Sequence, residues 1–186
     1  MYQRGLWHLT RMDRVQCESA RPLFRASIEL DPTFGLPYQG LARTYLDDVS
    51  HYISLSTDNG IKLVLPLASR AVELDPNDAN GLGLLGYVCL INGDLTEALD
   101  RSDMALDLNQ NAAVALQTKG SSLIFLGRYA DGIRVLRQYL RLNPKDPWSF
   151  RAYVHMAIAH YALTDYEATV NAGQRAVQAS PHANGG

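Results

Sequence analysis

Apolar residues recur along this chain at steps of three and four, the spacing that puts side chains on one face of an α-helix. Tyr38, Leu41, Ala42 and Tyr45 form one such set, and Leu82, Leu85, Gly86 and Cys89 another. Leu116, Gly120 and Leu123 follow, then Tyr153, Met156, Ala157 and His160. Between them run companion sets: Ala98 and Ala105; Gly132, Leu136 and Tyr139; Ala172 and Ala176. The pattern predicts ten helices, roughly over 2–11, 18–30, 35–48, 60–74, 79–91, 95–108, 113–126, 129–142, 149–163 and 166–179.

The sets repeat. Ile28-Glu29-Leu30-Asp31-Pro32 returns as Val72-Glu73-Leu74-Asp75-Pro76. Weaker copies are Leu106-Asp107-Leu108-Asn109-Gln110 and Leu140-Arg141-Leu142-Asn143-Pro144, and Gln178-Ala179-Ser180-Pro181 closes the series. The intervals are 44, 34, 34 and 37 residues, so two units carry about ten and three extra residues. The larger insertion is 49–59, with His51, Tyr52, Ser54, Ser56 and Thr57, and is expected to lengthen a helix or form a surface loop.

Small residues mark where helices meet. Ala42, Gly86, Gly120 and Ala157 share one place on alternate helices, with Ala98 and Gly132 on the partners, so backbones can approach closely. Gly93 and Gly127 fall between paired helices, where a left-handed cap is needed. Proline disfavours α geometry in the residue before it, so Asp31, Asp75 and Asn143 should end helices, and Asp78 and Asp146 should cap the next ones. Pro22 and Pro66 fall inside second helices, which should begin near them or kink there.

These residues resemble the tetratricopeptide repeat family, most strongly over 79–112 and 113–146. The resemblance implies an all-α fold, a right-handed α-α superhelix (solenoid) of about five helical hairpins. Residues 1–186 then form a single array with units at about 1–34, 35–78, 79–112, 113–146 and 147–181 and a tail at 182–186. In the first unit, Ala20, Phe24 and Leu30-Asp31-Pro32 of the second helix fit best. Gly5-Leu6-Trp7-His8-Leu9, the segment Ala20 to Pro32, and Tyr38-Gln39-Gly40-Leu41-Ala42-Arg43-Thr44-Tyr45 are also similar to the repeat region after the catalytic domain of bacterial class III adenylate cyclase homologues. Similar regions follow winged-helix DNA-binding domains in some bacterial regulators. The cyclase catalytic motifs are absent here, so no cyclase activity carries over.

Stacked hairpins enclose a concave face lined by their first helices. The resemblance points Gln39, Arg43 and Leu46 there, then Gly83, Tyr87 and Leu90, then Gln117, Ser121 and Ile124, and finally Val154, Ile158 and Tyr161. The Lys and Asn pattern by which chaperone-binding members clamp a terminal carboxylate is absent. A protein or peptide partner is therefore expected, of another kind.

Composition narrows the alternatives. Apolar residues make up 47% of the 186 and charged ones 19%, enough for a sizeable core. The net charge is -2 and the basic residues are scattered, which argues against nucleic acid. Cys17 and Cys89 form no CxxC pair, which argues against a disulfide scaffold or zinc site; Cys89 is expected in the core and Cys17 near a loop. No apolar stretch spans a bilayer and no signal-peptide pattern opens the chain, so a cytoplasmic location is expected.

No catalytic residue, metal ligand or cofactor site is assigned. Gly81-Leu82-Gly83-Leu84-Leu85-Gly86 spells GxGxxG but lacks the preceding strand that a dinucleotide site needs. His155 and His160 are five apart and do not share a helix face, and Ser121-Ser122 has no evident histidine partner. Asp47-Asp48 diverge on a helix and are expected as solvated surface charge. Self-association is the alternative function, since Val170 and Val177 stand on the outer edge of the last hairpin and could meet a second copy as a homodimer.

Overall fold

The computed structural model describes residues 1–9, 14–50, 57–146 and 148–180. Over these residues the chain is all helical, in ten helices. They are α1 (Tyr2–Leu9), α2 (Arg14–Leu30), α3 (Gly35–Ser50), α4 (Thr57–Leu74), α5 (Ala79–Asn92), α6 (Leu95–Leu108), α7 (Ala113–Phe125), α8 (Tyr129–Leu142), α9 (Ser149–Ala162) and α10 (Tyr166–Ala179). Each odd helix packs on the next even one as a hairpin. The odd helices also pack on one another in series, while the even helices do not meet among the described residues. The result is a solenoid with the odd helices inside and the even ones outside.

Turn chemistry sets the boundaries. The carboxylate of Asp78 accepts the Asn80 amide and caps α5. Gly93 and Gly127 adopt φ of 90° and 79° between paired helices, a conformation that side chains strain to reach. Thr164, at φ 60°, takes this place in the last hairpin. Helices α2, α4 and α8 end on the residues before Asp31, Asp75 and Asn143, as the proline rule predicts. Asp146 does not cap α9. That helix starts at Ser149, and Asp146 instead accepts the Trp148 amide in a turn.

Neither proline marks a helix start. Helices α2 and α4 begin at Arg14 and Thr57, well before Pro22 and Pro66. Both rings are exposed, and so are Glu18 and Lys62, the residues four before them to which a proline cannot donate a helix bond. The ten-residue insertion lengthens two helices: Val49 and Ser50 extend α3, and Thr57 opens α4. His51, Tyr52, Ser54 and Ser56 lie outside the described residues, as do the expected end of α1 at residue 11, Pro181 and the tail.

The small-residue seams are real contacts. A Cβ built on Gly120 would lie 2.6 Å from Leu136 of α8, and one on Gly132 would lie 2.7 Å from the Gly120 carbonyl oxygen. On Gly86 it would press the Ala98 carbonyl oxygen of α6 at 3.2 Å. The GxGxxG spelling has the same origin. Gly81, Gly83 and Gly86 are all buried within α5, and Gly83 faces the Ala115 amide of α7. They serve helix packing, and no strand precedes them among the described residues.

Candidate functional site

A groove of about 800 Å³ runs along the inner face. Its apolar lining comes from Leu6 of α1, Leu36 and Leu46 of α3, Leu84 of α5 and Val114 of α7. Gln39, Arg43 and Asp47 of α3, Asn80 and Tyr87 of α5, and Gln117 of α7 add polar groups. The connection from α8 to α9 walls one end, through Asn143, Pro144, Lys145, Asp146 and Trp148, with Arg151 beside it.

Five residues expected in the groove are there: Gln39, Arg43, Leu46, Tyr87 and Gln117. Three of their polar groups are engaged inside the protein. The Gln39 amide donates to the Asp78 carboxylate, and Gln117 Nε2 donates to the Trp148 carbonyl at 3.2 Å. The Tyr87 hydroxyl accepts from the Arg151 guanidinium. That guanidinium also lies 5.4 to 5.7 Å from the ring centres of Tyr87, Trp148 and Phe150, so aromatic faces hold its charge in place. Arg43 and Lys145 differ: both are exposed and neither makes a hydrogen bond or ion pair among the described residues.

Seven expected groove residues do not line it, among them Gly83, which is buried against Ala115 of α7. Ile124 is buried because Gly132 leaves room for its side chain, and Leu90 is half-buried in the core around α5. Ser121 is buried, and its hydroxyl lies 2.6 Å from His155 Nδ1. Val154, Ile158 and Tyr161 are exposed on α9, outside the groove. Near α9 the groove is met instead by Trp148, at the end of the longer α8–α9 connection, and by Arg151 in the first turn of the helix.

Ser121 thus has the histidine partner that sequence did not reveal, one repeat away in space. Burial, then the Arg151 charge, pushes the His155 imidazole down to about 4, so the ring is neutral at pH 7. Ser121 also donates to the Gln117 carbonyl at 2.8 Å, and Phe125 meets the imidazole edge-on at 5.1 Å. The arrangement joins α7 to α9.

Two further expectations change. Asp48 is not surface charge. It is buried on α3 and paired with Arg21 of α2, which also donates to the Thr44 hydroxyl and carbonyl at 3.2 and 3.0 Å. Cys17 is fully buried rather than near the surface, and its thiol donates to Asp47 Oδ2 at 3.6 Å. Burial, then the Asp47 charge, pushes it up to about 12, which suppresses the thiolate. Among the described residues no three His, Cys, Asp or Glu side chains converge as a metal site would need. No described helix is long and apolar enough to cross a membrane.

Two tetratricopeptide repeat models match the chain, one over residues 67–100 and one over 118–184, together more than half of it. The chain belongs to the tetratricopeptide repeat family. The fold agrees with solved structures of such proteins. TTC0263 from Thermus thermophilus, a thermophilic repeat protein, aligns with a TM-score of 0.71 at 17% identity, over 97% of this chain and 90% of that one. PilF of Pseudomonas aeruginosa gives 0.67 at 20% identity, over 100% and 75%. YrrB, described as a repeat protein with an unusual peptide-binding site, gives 0.58 at 17% identity, over 89% and 79%. The transcriptional regulator HilA of Salmonella typhimurium is 26% identical over 147 residues, 77% of this chain. The chain spans about a quarter of the length of the HilA relatives it matches.

Proposed function

We propose that the inner groove docks an extended segment of a protein partner carrying apolar and acidic side chains. The observation that carries this reading is the contrast among the groove's polar groups. Gln39, Tyr87, Gln117 and Arg151 are held by internal bonds, whereas Arg43 and Lys145 stand exposed beside the leucine lining. Leucines take apolar side chains, and the two cations attract carboxylates. The peptide-binding site of YrrB supports a peptide ligand for this fold.

The array is one body, 1–186, in five units, and carries no catalysis of its own. It serves as the docking and regulatory part of a larger bacterial signalling protein. The part it accompanies is an adenylate cyclase-like catalytic domain or a transcriptional regulator's DNA-binding domain, and the likeness to HilA favours the regulator. A peptide array probed with the wild-type chain, Arg43→Ala and Tyr87→Ala tests the groove. Both variants should lose most of the signal on apolar–acidic peptides. Unchanged binding by both would contradict the reading.

Self-association is the second reading. Tyr166, Val170 and Val177 stand 61%, 60% and 66% exposed along α10. The stripe passes Gly173, around which space is open. A second copy covering this stripe would form a dimer. Light scattering at high concentration that gives only the monomer mass would reject it.

A further inference from the structure

The outer face carries a second recess, of about 730 Å³, between α8 and α10 with α9 as its floor. It exists because these two outer helices do not touch. Arg137 and Arg141 line it from α8 and Arg175 from α10. All three are exposed and, among the described residues, none forms an ion pair or hydrogen bond. Four cations in the neighbouring stretch from α6 to α8 are paired instead: Arg101 with Glu97, Lys119 with Asp103, and Arg128 and Arg134 with Asp131.

The recess is polarised along its length. Arg137 and Arg141 are one turn apart on one face of α8. Outer helices a repeat apart run in the same direction, so Arg175, late in α10, stands near their level. The carboxylates, Asp165 and Glu167, lie at the start of α10, and Glu167 is about 12 Å along the axis from Arg175. Asp165 is partly committed, because its Oδ1 accepts the Ala168 amide. On the floor, His160 is buried with Nδ1 3.5 Å from Asp165 Oδ2 and without a hydrogen bond.

We propose that the cleft between α8 and α10 is a docking site, separate from the inner groove, for an acidic segment of a protein partner gripped by Arg137, Arg141 and Arg175. Guanidinium groups suit carboxylates because two N–H donors match two oxygens. The carboxylates at the far end select against a nucleic-acid strand, whose evenly spaced phosphates would run into them. A peptide with a short acidic run meets the cationic end alone.

Fluorescence anisotropy with a labelled hexaglutamate peptide tests this on the whole chain at low salt. The wild type should bind, and Arg137→Ala/Arg141→Ala and Arg175→Glu should each weaken binding at least tenfold. Lys62→Ala, an exposed change on α4, should leave it within twofold. Hydrogen exchange with bound peptide should show protection across 137–141 and 167–175. Because the arginines are exposed, melting temperatures report whether each variant folds. Unchanged affinity in folded double-alanine and charge-reversal variants would overturn the proposal. So would a labelled oligonucleotide that binds this cleft more tightly than the peptide.

Discussion

The junction of the first two hairpins and the junction within the fourth are built by different physics. Between α7 and α8, Gly120 and Gly132 bring backbones together until a single added carbon would collide with a carbonyl. Between α1, α2 and α3, one large ring fills the junction. Phe24 is fully buried, and a Cβ on Gly5 or Gly40 would lie 2.7 or 2.5 Å from it. Beside it lies the buried Arg21–Asp48 pair, with the Arg21 guanidinium 4.5 Å from the centre of the Tyr45 ring. Close apolar approach is stabilising without desolvating charge, whereas a buried ion pair must offset its desolvation. One fold thus tolerates two kinds of seam.

Phe24→Ala attacks the first junction hardest. It should cost about 3–5 kcal/mol of unfolding free energy, measured by chemical denaturation, because two glycines cannot fill the space the ring leaves. Asp48→Ala should cost about 3 kcal/mol by leaving the Arg21 charge half-sheltered without its counterion. Adding Arg21→Met should recover most of that loss. If the double variant is as unstable as the single, the seam is not ionic in the way described.

The α7–α9 contact sharpens the comparison through pH. His155 in the unfolded chain gains a proton near pH 6.5, whereas in the folded chain it does so only near 4. Stability held above pH 6.5 is therefore lost as pH falls toward 4, by about 3 kcal/mol from this residue. His155→Gln should flatten that part of the profile. A profile identical to wild type would place the acid sensitivity elsewhere.

The central seams were legible in sequence because small residues recur at fixed intervals, and so were the helix ends, which proline and glycine mark locally. The first junction was not. Asp48 and Cys17 look like surface residues until the second half of α3, through Thr44, Asp47 and Asp48, packs on α2. The groove divides likewise. Arg43, Tyr87 and Gln117, at inner positions of α3, α5 and α7, line the groove, whereas Leu90, Ser121 and Ile124 on the same helices do not. On α9 the groove is met by Arg151, with Trp148 just before the helix after a connection two residues longer than those before α5 and α7, while Val154 and Ile158 are exposed outside it. Ser121 and His155 are 34 residues apart, and only stacking brings them together.

Close backbone approach, at glycines placed by the repeat, holds the solenoid together. Gly132 and Gly173 both lie on outer helices, but one faces a carbonyl oxygen at 2.7 Å and the other faces open space. Chemical denaturation of Gly132→Ala and Gly173→Ala tests the claim most directly. Gly132→Ala should lose about 1–2 kcal/mol through overpacking, despite alanine's better helix propensity. Gly173→Ala should gain up to about 1 kcal/mol from that propensity alone. If both substitutions stabilise the protein equally, close approach at Gly132 is not what holds these helices together.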